Sequence, residues 1–292
     1  AASDVYKRQI MYNGQYGFRE NHSTALALME LIEEITSNLD NKLVTTGVFI
    51  DLKKAFDTID HSILIRKLCH YGVRGIASSW IKDYLSNRSQ FVVYNGMSSE
   101  RKDIVCGIPQ GSIPGTILFL LYINDLANVS HKLKFILFAD DTIILAENAN
   151  ELQFAISGME EYCEENKLQI NVNKTKVMVF SRGKIRNKPT IYFGKEVLEV
   201  VYEYVYLGVT MNYNGSFNKA IQRLYDIANR AMFELIKKSR SLFLDIDTIL
   251  KLFDSTIVPI LLYGSEVWGL SLIHISEPTR PLYISYAVFC LK

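Results

Sequence analysis

Phe138-Ala139-Asp140-Asp141 sets two carboxylates side by side between two apolar runs, Leu133–Phe138 and Thr142–Ala146. Runs of that length and β-branched content read as strands, which places the acidic pair at the tip of the hairpin joining them. Upstream, the β-branched run Val44–Ile50 ends on Asp51 in the same way. Taken singly, each aspartate is an ordinary turn or cap residue. If one sheet holds both runs, however, Asp51, Asp140 and Asp141 become a concentrated anionic cluster whose repulsion calls for cations. Hard oxygen ligands with open positions suit magnesium, and two such ions serve phosphoryl transfer of the nucleotide-adding kind.

The rest of the chain alternates helix and strand signals without internal repeats. Asp60 precedes a helical pattern carrying Ile63, Leu64 and Leu68 and reads as its N-cap, with Gly72 just past the end. A second helix is expected over Ile76–Leu85. Gln90–Tyr94 and Ser98–Val105 flank Asn95-Gly96, a strong hairpin signal. A helix is expected over Pro114–Leu126 and another over Glu151–Asn166, with short strands near Val177–Phe180, Thr190–Phe193 and Tyr206–Thr210. From Phe217 onward the pattern is helical. The expectation is an α+β unit with a helical appendage.

The two ends stand apart. Residues 1–9 and 270–292 back-translate into sequences resembling the two adapters of a transposase-type sequencing library, so the native part is read as 10–269. Setting those ends aside removes Lys7, Arg8, Arg280, Lys292, Asp4 and Glu277 from 32 basic and 31 acidic residues, leaving a net charge of about −1. With no global basic excess, any nucleic-acid contact must use local stripes, for which Lys174–Lys188 and Lys219–Arg240 qualify. Cys69, Cys106 and Cys163 are dispersed without metal-ligand spacing, which fits a reduced intracellular setting. The longest apolar run, Ile117–Ile123, falls far short of the roughly 20 residues of a membrane span. A soluble protein with no membrane partner is expected.

A third element completes the acidic pair and Asp51: Gly107-Ile108-Pro109-Gln110-Gly111-Ser112, a glycine-flanked turn before a helix, where a backbone can approach a ligand closely. Together, in this order and spacing, the three resemble motifs A, B and C of reverse transcriptases. Gln15-Tyr16-Gly17-Phe18-Arg19 with Ser23-Thr24 resembles the fingers motif of the non-LTR and group II intron enzymes. Asn171–Lys176 with Met178 and Phe180 resembles motif D, Tyr206-Leu207-Gly208 motif E, and Pro259–Trp268 a segment beyond the polymerase core of the non-LTR group. One departure is local: Ile113-Pro114-Gly115-Thr116 stands where a Leu-Gly-Pro order is usual. The earliest fingers strands, an endonuclease domain and a nucleic-acid-binding C-terminus of a full element are not among these residues.

The resemblance implies a right-hand polymerase, with partial fingers and a palm of antiparallel sheet backed by helices over 10–212, and the start of a helical thumb over 213–269. It makes Asp51, Asp140 and Asp141 the catalytic carboxylates and, with the Leu52 carbonyl, the ligands of two Mg2+ ions, with Mn2+ as substitute. Phe56 matches the aromatic gate that excludes a ribose 2′-hydroxyl. Gln110 and Gly111 line the nucleotide pocket, and Arg19 contacts the incoming triphosphate or template. Lys174 is the motif D cation that protonates pyrophosphate, with Lys176 its rival. Lys219, Arg223, Arg230, Lys237, Lys238 and Arg240 suit a thumb that tracks phosphates. The implied partners are an RNA template, a DNA primer and deoxynucleoside triphosphates, in a retrotransposon ribonucleoprotein of cytoplasm and nucleus. Two alternatives stay open: a group II intron or retron polymerase, and an inactive RNA-binding remnant, against which the three intact aspartates weigh.

Overall fold

The computed structural model describes residues 10–183, 185 and 188–274, with side chains up to residue 269. Residues 1–9 and 275–292, where most of the adapter reading falls, lie outside the described residues. The chain divides into two compact units, between Ala220 and Ile221.

The first unit opens with α1 (Thr24–Asp40), which the sequence reading did not assign. Ser23 caps it by accepting from Leu26 N, and Ala27, Leu28, Leu31, Ile35 and Leu39 form its buried stripe. β1 (Thr45–Ile50) follows and is buried throughout. α2 (His61–His70) is capped by Asp60, as expected, and leads to α3 (Gly75–Leu85). The Asn95-Gly96 signal produces a hairpin of four short strands: β2 (Ser89–Gln90) pairs with β5 (Lys102–Asp103), and β3 (Val93–Tyr94) with β4 (Met97–Ser98). Asn95 and Gly96 both take positive φ, as a two-residue turn of that type needs.

α4 (Ile113–Ile123) starts at a Ser112 cap, with Pro114 in its first turn, so the unusual Ile-Pro-Gly order is absorbed at a helix start. There Gly115 is packed so tightly that a Cβ would lie 2.6 Å from Ser112 Oγ and 2.7 Å from Pro109 O. A short 3-10 turn at Leu126–Val129 ends the expected Pro114–Leu126 helix early. β6 (Lys134–Phe138) and β7 (Asp141–Ala146) form the predicted hairpin, and α5 (Ala149–Glu165) returns to β8 (Lys176–Phe180). Then come β9 (Tyr192–Phe193), β10 (Glu196–Val197), β11 (Glu199–Val201), β12 (Glu203–Tyr206) and β13 (Val209–Asn212). Where one strand was expected over Tyr206–Thr210, the chain turns: Leu207 (φ +45) and Gly208 (φ +80) join β12 to β13 as a hairpin.

The central sheet runs β11-β8-β1-β7-β6, antiparallel except for the parallel β11–β8 pair. One face packs on helices: Val48, Ile50, Phe135 and Ile144 join a core with Leu64, Phe119 and Met159 of α2, α4 and α5. Phe119 is fully buried, and its truncation to Ala would cost about 3–5 kcal/mol. A polar pin ties the three helices together. Lys67 Nζ donates to Tyr122 O and Asp125 Oδ1, both at 2.7 Å, and to Tyr162 OH at 3.1 Å. Burial lowers the Lys67 pKa, and the Asp125 carboxylate opposes that fall. The second unit consists of the remainder of α6 (Asn218–Ser241), α7 (Ile246–Leu261) and α8 (Ser265–His274). Asp245 caps α7 by accepting from Thr248 N at 2.7 Å, and Ile257, Val267 and Trp268 are buried. Arg223, Arg230, Lys237, Lys238 and Arg240 are all exposed along α6. Among the described residues no helix is long and apolar enough to cross a membrane.

Candidate active site

The strand register builds the site. Ile50 stands opposite Thr142, and Phe138 opposite Asp141, so the next step along β1 sets Asp51 beside Asp141. Alternation in a pleated strand puts Asp51 and Phe49 on one face, together with Asp141 and Ile143, away from the helix-backed core. The turn between β6 and β7 is Ala139-Asp140, with Ala139 in the left-handed region at φ +55. A side-chain-bearing residue there costs roughly 1–2 kcal/mol, so neighbouring contacts must sustain it.

Those contacts come from residues 14–17. Tyr16 N donates to Leu137 O at 2.7 Å and Leu137 N to Gly14 O at 2.8 Å, which lays the segment along the β6 edge. Gln15 Oε1 then accepts from Ala139 N at 3.0 Å and from Gly17 N at 2.8 Å. The Arg19 guanidinium turns back to Tyr12 O at 2.9 Å and Gln15 O at 3.0 Å, and desolvation lowers its pKa.

The three aspartates feel one another. Burial raises the Asp140 pKa, and the Asp51 charge adds to the rise. Asp141 keeps contact with solvent, yet desolvation by the surrounding protein, followed by repulsion from Asp140 and Asp51, pushes it up to about 6. The apolar wall behind it is aromatic: Phe49 packs on Tyr204 at 4.4 Å and Tyr206 at 5.5 Å between ring centroids. Both tyrosines have raised pKa values, from burial first and then from the Asp141 charge. The Tyr206 hydroxyl is buried without a hydrogen-bond partner.

Lys174 Nζ lies 3.8 Å from Asp51 Oδ2, whereas Lys176 Nζ pairs with Glu199 Oε2 at 2.5 Å. Of the two rival lysines, Lys174 therefore faces the acidic cluster. The Asp51 main chain is held by Thr175 Oγ1, which accepts from Asp51 N, and by Asn171 N, which donates to Asp51 O at 2.8 Å. Leu52 faces Ile170 in an isolated bridge whose hydrogen bonds belong to Asp51 and Lys53, so the Leu52 carbonyl takes no part in it.

Whether this set could hold divalent ions turns on chemistry more than on closure. Among the described residues no three Asp, Glu, His or Cys side chains stand close enough to enclose an ion as placed. The donors present are all hard oxygens, their mutual repulsion is what a divalent cation relieves, and the Lys174 ammonium already stands beside one of them as a cation of lower charge. On that chemistry they fit magnesium or manganese.

The glycine-flanked loop is tied to the stretch that follows Asp51. Gly107 N donates to Ile59 O and Ile108 N to Phe56 O, both at 2.8 Å, and His61 Nε2 contacts Gly107 O at 2.7 Å. A Cβ on Gly107 would sit 2.8 Å from Asp57 O, so this approach requires glycine, as does its φ of +88. Phe56 is half-buried and stacks on Phe119 at 4.2 Å. Gln110 is exposed and donates to Asp57 Oδ1 at 3.0 Å, and Gly111 beside it is open. Gln15, Tyr204, Tyr206, Asp57 and His61 are the site neighbours that sequence reasoning gave no role. Asp57 and His61 sit within six residues of Phe56, the gate candidate, and could have been noticed. Gln15 and Tyr206 stand in the stretches that resemble the fingers motif and motif E, whereas nothing local marks Tyr204.

Comparison with known proteins gives this geometry a context. The family model described as reverse transcriptase (RNA-dependent DNA polymerase) matches residues 2–211. The probable RNA-directed DNA polymerase from transposon BS of Drosophila melanogaster is 28% identical over 297 residues, covering 91% of this chain and 31% of that protein. The RNA-directed DNA polymerase from mobile element jockey of the same fly is 26% identical over 274 residues, covering 88% and 29%. The chain thus spans about a third of the length of these relatives. Among solved structures, telomerase from Candida tropicalis with a TWJ fragment of telomeric RNA superposes with a TM-score of 0.53 at 13% identity, over 94% of this chain and 46% of that one. The corresponding Candida albicans structure gives 0.51 at 12% identity, over 91% and 52%. At such identities the likeness is one of fold, a mixed α+β arrangement with an antiparallel sheet backed by helices, as expected from the sequence.

Proposed function

The chain belongs to the reverse transcriptase (RNA-dependent DNA polymerase) family, and on that footing we propose that it adds deoxynucleotides to a primer 3′-hydroxyl along an RNA template, as part of a non-LTR retrotransposon polymerase. The observation that carries the reading is the register of β1 on β7, which sets Asp51 beside Asp141 with Asp140 in the adjoining turn. Asp51, Asp140 and Asp141, with the Leu52 carbonyl, would hold two Mg2+ ions, or Mn2+ in their place. Bound there, the ions would activate the attacking hydroxyl and stabilise the leaving pyrophosphate.

The chain's own residues do the rest. Phe56, braced on Phe119, would serve as the aromatic gate that excludes a ribose 2′-hydroxyl and so selects deoxynucleotides. Gln110, oriented by Asp57, and the open backbone at Gly111 border the nucleotide. Lys174, exposed beside Asp51, supplies a cation and a proton to departing phosphates. Arg19 is committed to the main chain of Tyr12 and Gln15, so its reach toward a triphosphate or template requires those bonds to open. The exposed basic residues of α6 suit a phosphate backbone. A ribonucleoprotein setting in cytoplasm and nucleus accompanies this reading.

Primer extension on an RNA template, comparing the unaltered chain with Asp140→Ala, tests it. Magnesium-dependent extension that the substitution abolishes is the expected result. Equal extension by both overturns the reading for these residues.

A further inference from the structure

Gln15 is a polar side chain only 3% exposed. Its Oε1 accepts from Ala139 N, 124 positions away, as well as from Gly17 N. Both partners are N–H donors, so the contacting atom must be the carbonyl oxygen and the amide orientation is fixed by chemistry. Its Nε2 is buried with no partner.

The backbone around it is pressed close. A Cβ on Gly17 would lie 2.4 Å from Ala139 N and 3.0 Å from Phe138 C, and one on Gly14 would lie 2.5 Å from Phe135 O. Residues 14–17 therefore contact β6 and its turn main chain to main chain. The N–H that Gln15 accepts belongs to Ala139, the residue held at φ +55 immediately before Asp140. We propose that Gln15 is a positioning residue for the acidic tip: its carbonyl oxygen holds the Ala139 N–H, and with it the left-handed turn that sets Asp140 and Asp141 beside Asp51. Arg19, bonded to Gln15 O, braces the residue that braces the turn. The purpose of this device rests on the polymerase reading, while its geometry does not.

The test reads the Ala139 amide directly. Gln15→Met keeps the volume and removes the acceptor, and hydrogen exchange at Ala139 N should then accelerate by about tenfold or more. Gln15→Glu keeps an acceptor oxygen and should retain the protection. Asn38→Ala, which breaks another buried side-chain hydrogen bond, to Thr45 Oγ1 at 3.0 Å, should lower thermal stability yet leave Ala139 exchange unchanged. Gly17→Ala, which displaces the turn from a second direction, should expose the same amide. With Mn2+ alone as probe, Gln15→Met should weaken binding several-fold, and Asn38→Ala should not. Unchanged Ala139 exchange in Gln15→Met, or equal acceleration in Met and Glu variants, overturns the positioning role whatever extension shows. Equal extension by the unaltered chain and Asp140→Ala, with the exchange pattern as described, would instead overturn the polymerase reading and leave the turn contact standing.

Discussion

Asp60 and Asp141 lie in the same compact unit and begin with the same carboxyl chemistry, and the fold treats them in opposite ways. Asp60 accepts from Lys167 Nζ at 2.6 Å, from the Ser62 hydroxyl and from Ile63 N at 3.0 Å, and these partners, Lys167 foremost, hold it well below the usual carboxylate range. Asp141 stands with two other aspartates against an aromatic wall and is pushed up to about 6. The first carboxylate contributes stability through a helix cap and an ion pair. The second subtracts from it, and a cluster that costs the fold free energy is where function is to be sought.

The strongest way to break that contrast is to neutralise one aspartate from each region. Asp51→Asn should lower primer extension on the order of 10³-fold or more, while thermal stability holds or rises because one repelling charge is gone. Asp60→Ala, which removes the cap oxygen, should do the reverse, lowering the melting temperature and leaving the extension rate within about twofold. Matched losses of rate in the two variants would show that the acidic tip is no more specialised than the cap.

A smaller effect compares the lysine beside the acidic tip with its neighbour on β8. Lys174 is 68% exposed at 3.8 Å from Asp51, a geometry that contributes little to stability. Lys174→Ala should therefore leave the melting temperature unchanged and slow extension by about 10- to 100-fold. Lys176→Ala, which removes the partner of Glu199 instead, should spare the rate. The inverse result would transfer the proton-donating role to Lys176.

Acidity separates the regions again. The Asp141 pKa in the fold is above its unfolded value, so its protonated form favours folding, and this contribution is lost as pH rises from about 4 through about 6. Asp60 is depressed, so its contribution is present above about 4 and is lost as pH falls below that. In a thermal-shift titration without metal, Asp141→Asn should flatten the decline between pH 4 and 6, and Asp60→Asn should flatten the loss in acid. Adding Mg2+ above pH 6 should restore stability to the unaltered chain. A flat profile between pH 4 and 6 would mean that the carboxylates do not repel as placed.

How much of this was legible follows from which interactions are local. The Asp60 cap, the Asn95-Gly96 turn and the strands ending on Asp51 and Asp140 all announce themselves within a few residues, and each formed where expected. The pairing of β1 with both β7 and β8 joins runs far apart in sequence, so only the resemblance to reverse transcriptases, not periodicity, put Asp51 with the acidic pair. Helix α1 was legible in its spacing, Ser23 followed by the stripe from Ala27 to Leu39, although only Ser23-Thr24 at its start carries a motif. Gln15 was legible as the first residue of a motif, but its contact was not, since one carbonyl oxygen reaching Ala139 leaves no periodic trace. Leu207 at positive φ was likewise hidden, because leucine next to glycine reads as strand until its partner β13 is known.

The smallest expected effect asks what keeps Asp60 quiet. Lys167 is 64% exposed while it donates to Asp60 Oδ2, and an exposed pair is worth roughly 0–1 kcal/mol because water and salt screen it. The two backbone N–H groups that Asp60 satisfies at the start of α2 are worth about 1 kcal/mol, and removing the side chain leaves them unpaired. Urea denaturation should therefore rank Asp60→Ala below Lys167→Ala in stability, with the Lys167 deficit shrinking in high salt and the Asp60 deficit largely persisting. Extension rates should be unaffected in both. Equal deficits that vanish together in salt would mean that the ion pair, not the cap, carries the stability that Asp60 contributes; the cap region would then be governed by charge just as the acidic tip is, with only the sign reversed.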